Sequence, residues 1–370
     1  MIKVLTFVSL FFAALLLISC NPADRPAVGP EDEIYVMADS SEFQQLEPAL
    51  DSTFEKVIYT PQPEDLFTLK RISPNQLESY KQSKNLIIVA PLNSNSITSR
   101  FINAIMDTSV KAKFMEEKHM HVNKYNLWAK NQLVMILTAP TMTELRKDIM
   151  THKDDLLYAF QKISDDRLAQ SLYSAPYERQ DVEGMLLKNY GWIIYVQADY
   201  QVALNIPKDN FVWLRRAPGS DMERWIFVHW IDNASPDYLN TDSIRAIRNR
   251  MTKKYYRTTD DSSYVIIAQD YFTTNEVNFK GKYAILTQGL WELNTKGMGG
   301  PFINYTFFDK KTKRIYMLDG SIFAPSYYKR NIIQQMDVTL QSFMTASELS
   351  KDRKEDLLEE AKDYKPLTGK

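Results

Sequence analysis

The sequence predicts an α+β protein in two parts: an N-terminal α/β sandwich, then an antiparallel sheet with flanking helices. Two observations carry this. From residue 33 to about 173, short apolar runs alternate with segments whose apolar residues recur at helical spacing, the pattern of layered α/β folds. From 185 to about 325 strand-like runs follow one another with little but turn residues between them, the pattern of an antiparallel sheet.

In the first part, 33–39 (EIYVMAD) is a short strand. Residues 43–57 place Phe43, Leu46, Leu50 and Phe54 on one helical face. A strand at 66–72 and a helix at 74–83 follow. The run 85–92 (NLIIVAPL) is apolar without interruption, as a strand buried on both faces requires. Residues 96–117 read as a helix through Ile97, Phe101, Ile105 and Met106, and 127–140 as a strand. A helix is predicted from Thr141 to about Ser164, with Thr141 or Thr143 as its N-cap. The polar stretch 174–184 (SAPYERQDVEG) reads as a linker.

In the second part, strands are predicted at 192–207, 211–216, 224–231, 264–272, 283–293, 302–309 and 314–325. Turn chemistry such as Pro218-Gly219-Ser220 and Asp309-Lys310-Lys311 separates them. One helix near 240–254 interrupts the series. A last core helix, about 327–345, carries the stripe Ile332, Met336, Leu340, Phe343. The charge-rich residues 346–370 read as a solvated helix fraying into a tail. The core parts are therefore 33–173 and 185–345.

The N-terminus supplies an address. Lys3 precedes an apolar run from Val4 to Ile18, about 15 residues, shorter than the ~20 that a spanning helix needs. A short positive region, an apolar stretch and a small residue before a cut mark a secretory signal. Leu17-Ile18-Ser19-Cys20 resembles the bacterial lipobox. That resemblance implies removal of 1–19, lipidation of Cys20, a tether over 20–32 and attachment to the membrane. Two or more acyl chains hold a protein stably where one does so only marginally. Cys20 is the only cysteine, so the domain beyond it folds without disulfides. The tether carries no strong acidic signal after the cysteine, only Asp24 followed by Arg25. The expected location is therefore the outer membrane, facing the periplasm.

Composition narrows the partners. The 370 residues carry a formal charge of -1, with 25% charged and 44% hydrophobic side chains. Nucleic acid is not an expected partner, because no basic excess is present. No cofactor or metal is expected. His119 and His121 alternate on what reads as a strand, but two histidines are one short of a catalytic zinc set. His152 reads as a surface residue and His229 as a half-buried, hydrogen-bonded one. No GxSxG elbow is present, and Met298-Gly299-Gly300-Pro301-Phe302 lacks the Lys and Ser/Thr of a phosphate loop. Gly299, Gly300 and Pro301 are expected to form a turn, or to allow close backbone approach. The sharpest candidate is Tyr328-Lys329-Arg330. Two cations in the first turn of the last helix oppose its dipole, and together with free amides they would bind an anion. The alternative is an ion pair with an internal acid such as Glu292 or Asp319.

Several segments resemble a family of Bacteroidota envelope lipoproteins known as domain of unknown function 4837. They are Gly289-Leu290-Trp291-Glu292, Met298 to Phe302, Phe323-Ala324-Pro325 with Lys329-Arg330-Asn331, Trp128 to Leu133, and Phe211 to Arg216. The resemblance covers nearly all of the chain after Cys20. It implies an envelope lipoprotein and lends no activity. In fold alone the second half resembles PsbP-like proteins. The function expected is a non-catalytic binding or scaffold role towards an envelope protein or glycan. The alternative is an envelope hydrolase or transferase acting on glycan or lipid.

Overall fold

The computed structural model describes residues 25–58, 60–109, 112, 121–173 and 176–366. The chain is α+β. It divides into two compact units: the described residues up to Lys56 together with Leu66–Ser164, and Val57–Asp65 together with the described residues from Asp165 on. The division at Ser164/Asp165 lies ahead of the stretch 174–184 that reads as a linker.

Unit 1 holds strands β1 (Glu33–Met37), β2 (Thr68–Ile72), β3 (Asn85–Val89), β4 (His121–Tyr125) and β5 (Leu133–Leu137) in the order β2-β1-β3-β5-β4. The first four in that order run parallel, and β4 is an antiparallel edge. Every residue of β3 and β5 is buried, because helices cover both faces. On one face Ile34, Val36, Ile87 and Met135 pack with helix α1 (Ser40–Phe54) through Phe43, Leu46, Leu50 and Phe54. On the other, Leu86, Ile88, Val134 and Ile136 meet Ile102 of α2 (Ile97–Ile105). Helix α2 stops at Ile105 instead of continuing to 117. Helix α3 (Met142–Thr151) starts at the predicted Thr141. Its hydroxyl accepts from the Glu144 N–H (3.3 Å) while the Glu144 carboxylate accepts from the Thr141 N–H (3.2 Å), a reciprocal cap. Helix α4 (Lys153–Leu172) follows directly.

From Arg25 on, the backbone expected to be a tether is paired. The Lys130 N–H donates to the Arg25 carbonyl (2.7 Å), and the Ala27 N–H to the Lys130 carbonyl (2.9 Å). Pro26 and Val28 form bridges with Lys130 and Ser83. Proline and glycine content signalled an unpaired segment, but the backbone from Arg25 finds partners on unit 1.

In unit 2 the end of α4 is followed by α5 (Gln180–Tyr190), so residues 180–184 are helical and not linker. The sheet of unit 2 comprises β6 (Tyr200–Ile206), β7 (Phe211–Arg216), β8 (Glu223–Ile231), β9 (Val265–Phe279), β10 (Lys282–Leu293), β11 (Gly299–Asp309) and β12 (Arg314–Phe323). All neighbours are antiparallel, in the order β9-β10-β11-β12-β8-β7-β6. Side chains alternate between faces along each strand. On one face Phe211, Phe227, Trp291, Phe302 and Met317 pack with Ile244, Ile247 and Met251 of α6 (Thr241–Tyr255). On the other, Val212, Ile226, Val228, Ile303 and Leu318 pack with α5 and with Ile332, Met336 and Leu340 of α7 (Arg330–Gln341). Helix α7 is shorter than 327–345. Trp192–Ile193 leaves the predicted long strand to pair with Met344–Thr345.

The tail is not a free solvated segment. Helix α8 (Lys351–Glu360) buries Leu357 completely. Gly184 of α5 explains how: a Cβ there would lie 1.9 Å from the Leu357 carbonyl oxygen, so only glycine permits this approach. Arg353 then pairs with Glu178 and, at 2.9 Å, with Glu183. Burial and the Glu178 charge push the Glu183 carboxyl up to about 9 against the pull of Arg353 and the Val196 N–H.

Candidate functional site

The basic pair sits at the start of α7, but its helix terminus is already filled. The hairpin Val57–Ile58/Glu64–Asp65 belongs to unit 2 and delivers Glu64 to that point. The Lys329 N–H donates to both Glu64 carboxylate oxygens (2.9 and 2.8 Å) and the Arg330 N–H to one of them (2.8 Å). Orphan amides and the positive end of the dipole are thus satisfied by a carboxylate of the chain. The side chains turn away. Lys329 Nζ donates to the Tyr327 carbonyl (2.8 Å), and Arg330 Nη1 to Asn331 and Gln334 (both 2.8 Å). Lys329 and Arg330 are buried, whereas Tyr328 is 87% exposed. Neither of the acids weighed from sequence, Glu292 or Asp319, is the partner.

Gly299, Gly300 and Pro301 form no turn. They open β11, and the left-handed backbone lies earlier, at Lys296 (φ 65°) and Gly297 (φ 95°). Close approach is the reason for the glycines. A Cβ on Gly300 would meet the Ile322 carbonyl at 2.0 Å, and one on Gly299 the Trp291 carbonyl at 2.7 Å. Trp291 Nε1 donates to that same Ile322 carbonyl (3.0 Å), so the motif locks strands and is part of the core.

His119 lies outside the described residues. His121 is half-buried on β4, and burial lowers its affinity for a proton. His152, read as a surface residue, is partly buried and pairs with Asp148 (3.0 Å) close to His121. Among the described residues no group of three or more His, Cys, Asp and Glu side chains is arranged to hold a metal. His229 is buried on β8, and its Nδ1 contacts the Asn210 carbonyl (3.0 Å). Burial lowers its pKa.

Unit 1 has the topology in which ligands commonly lie beyond the carboxyl ends of parallel strands, where the strand order reverses. That point falls between β1 and β3. Asp39 fills it: its carboxylate accepts from the Thr98 N–H (2.9 Å), the Thr98 hydroxyl (2.8 Å) and the Ile97 N–H (3.3 Å) at the start of α2. Burial alone would raise the Asp39 pKa, but these donors outweigh it and hold the carboxyl low. Glu42, also buried, accepts from the Ser94 hydroxyl.

Two further clusters lie in unit 2. Under α6, Arg248 and Asp319 are both fully buried, joined Nε to Oδ2 at 2.6 Å. Ser321 and Asn304 complete the pair (3.0 and 3.1 Å), and the guanidinium stacks 3.6 Å from the centre of the Phe302 ring. Beside α7, Asp165 accepts from Gln334 (2.8 Å), and Asp337 accepts from the Tyr305 hydroxyl (2.7 Å) and Gln341 (2.9 Å). Burial and the Asp337 charge push Asp165 up to about 7, and burial also raises Asp337.

Among the concavities on unit 2, two hold candidate binding groups. One, of about 450 Å³, holds His229 with Lys208, Asp209 and Arg250. Asp209 is engaged by Lys254 (2.6 Å) and the Tyr255 hydroxyl. The other, of about 400 Å³, lies where the β9–β10 and β11–β12 turns meet, between Pro236 and Leu239 on one side and Tyr283, Phe308, Lys310 and Lys311 on the other.

Residues 27–173 match the family model described as Domain of unknown function (DUF8532), and residues 178–342 that described as Domain of unknown function (DUF4837). Each match covers less than half of the chain, and both are to domains of unknown function. The DUF4837 match is confined to the second half, although the sequence resemblance extended over nearly all of the chain after Cys20. No curated protein matches. Among solved structures the chain is similar to the Saccharomyces cerevisiae Ran-binding protein Mog1p in its crystal structure. The identity is 8% and the TM-score 0.29, over 42% of this chain and 90% of that one. A likeness at that level transfers neither fold nor activity.

Sequence reasoning missed the Asp165–Asp337 neighbourhood and the Arg248–Asp319 pair, of which only the second lies wholly within residues 178–342. The second had a signal: an arginine on the apolar face of α6 and an aspartate inside an apolar strand, each improbable in a core without the other. Glu64 gave none, because its partners lie 265 residues away.

Proposed function

We propose that this is a lipid-anchored protein of the Bacteroidota cell envelope, attached through Cys20 to the outer membrane and facing the periplasm, that acts by binding an envelope protein or glycan and not by catalysis. The observation supporting a binding role is the internal use of its anion-attracting helix termini. Glu64 fills that of α7 and Asp39 that of α2, positions that phosphate-handling enzymes leave open for substrate. Among the described residues no helix is long and apolar enough to cross a membrane, and the lipobox supplies the attachment. In Cys20→Ala, incorporation of labelled palmitate should cease and the chain should leave the membrane fraction or remain uncleaved. Unchanged labelling would sink the anchor.

One observation favours the envelope hydrolase or transferase reading. Asp165 and Asp337 are neighbouring carboxyls, and burial raises the proton affinity of both, that of Asp165 to a pKa of about 7, the direction a general acid requires. Turnover of envelope glycan or lipid by the purified protein, abolished by Asp165→Asn, would establish that reading in place of the first.

A further inference from the structure

The concavity between the β9–β10 and β11–β12 turns has an apolar floor and a cationic rim. Pro236, Leu239, Phe308 and the half-exposed Tyr283 ring form the floor. The carboxylates in its wall are engaged. Asp309 is buried and accepts from the Thr312 N–H and hydroxyl (both 2.8 Å). Glu348 accepts from Lys282, the Thr345 N–H (2.7 Å) and the Thr345 hydroxyl (2.9 Å). Glu276, on β9, lies beside the Tyr283 hydroxyl. Lys310 and Lys311 are different. They are adjacent on the turn, and neither has a hydrogen-bond or ion-pair partner among the described residues. Two neighbouring point charges suit a compact anion of about two charges, which at neutral pH is a phosphate monoester.

We propose that this concavity binds a small organic phosphate, with the phosphate on the Lys310 and Lys311 ammonium groups and the apolar body of the ester on Leu239, Phe308 and Tyr283. The volume of about 400 Å³ suits a soluble ester and lies within the range of small-molecule sites. The proposal rests on the reading of the chain as a binding protein and names the ligand class of one site.

Calorimetric titration of the purified full chain with phenyl phosphate, inorganic phosphate and phenol tests it. Phenyl phosphate should bind at least about tenfold more tightly than either part alone, since each tenfold is only ~1.4 kcal/mol. Lys310→Ala with Lys311→Ala should weaken phenyl phosphate at least about tenfold, on the same scale, with the melting temperature unchanged, because both side chains lack partners. Tyr283→Ser should weaken phenyl phosphate and leave inorganic phosphate unaffected. Equal affinity for phosphate and phenyl phosphate, or full binding in the double lysine variant, would overturn the site and leave the binding role standing. Hydrolysis of phenyl phosphate lost in the lysine variant would overturn the non-catalytic reading and leave the site standing.

Discussion

Replacing Glu64 by Ala removes the acceptor for three short contacts at the start of α7, two from Lys329 N–H and one from Arg330 N–H. Losing a good cap costs about 0.5–2 kcal/mol, and losing a charge at the dipole adds roughly 0.3–1 kcal/mol. A total near ~2 kcal/mol is expected, because the two contributions overlap. For a domain of this size 1 kcal/mol shifts the midpoint by about 2–4 °C, so unit 2 should melt about 4–8 °C lower. The variant also exposes two amides and the positive helix end to an outside anion. Sulfate or inorganic phosphate should therefore recover part of the loss in Glu64→Ala and have little effect on α7 in the unaltered protein. Calorimetric scans of both forms at matched ionic strength, with chloride as reference, separate binding from screening. If phosphate stabilised the variant no more than the unaltered protein, removing Glu64 would not have opened that terminus to an anion, and Glu64 would not be its occupant.

Two other perturbations have clear signs. Arg248→Ala leaves the fully buried Asp319 without its cation and should cost about 3–5 kcal/mol; a urea midpoint moved by less than the equivalent of ~1 kcal/mol would show the pair to be dispensable. Asp165 holds its proton more tightly folded than unfolded, about 7 against an ordinary 3.8. The folded state therefore loses stability as pH rises from about 4 to 7, with the full loss above that window. Asp165→Asn keeps the acceptor for Gln334 and removes the part of the slope that Asp165 contributes. It should match the unaltered protein below pH ~4 and exceed it above pH 7 by up to roughly 4 kcal/mol. Parallel pH profiles for the two would contradict the buried-proton account.

The regular elements were readable because they obey one period each. The run NLIIVAPL is buried at every residue from Asn85 to Val89, and Ile332, Met336 and Leu340 do face the core of unit 2. Thr141 caps α3 because its partner Glu144 stands three residues on. Where sequence reasoning failed, the deciding partner was distant. Polar composition made 346–370 a tail, yet one glycine on α5 and one leucine on α8 dock it. Proline and glycine made 20–32 a tether, yet Lys130 and Ser83 pair with the backbone at Pro26 and Val28. The basic pair was rightly singled out as a broken local rule. The carboxylate that resolves it comes from a hairpin with no local tie to α7.

That hairpin bears on how the chain is synthesised and divided. Residues 57–65 are translated among the strands of unit 1 but belong to unit 2. On a ribosome, α7 cannot acquire its cap from recent chain. Its terminus waits for a loop spanning 265 residues to close, and closing a loop of that length carries an entropic cost that grows only slowly with length. A gene cut at Ser164/Asp165 would separate Glu64 from its helix. Splitting this protein cleanly means keeping Val57–Asp65 with the second half, as an inserted peptide or a circular permutant, and letting Lys56 run directly into Leu66 in the first. Their backbones already touch there, with the Leu66 N–H 2.8 Å from the Lys56 carbonyl.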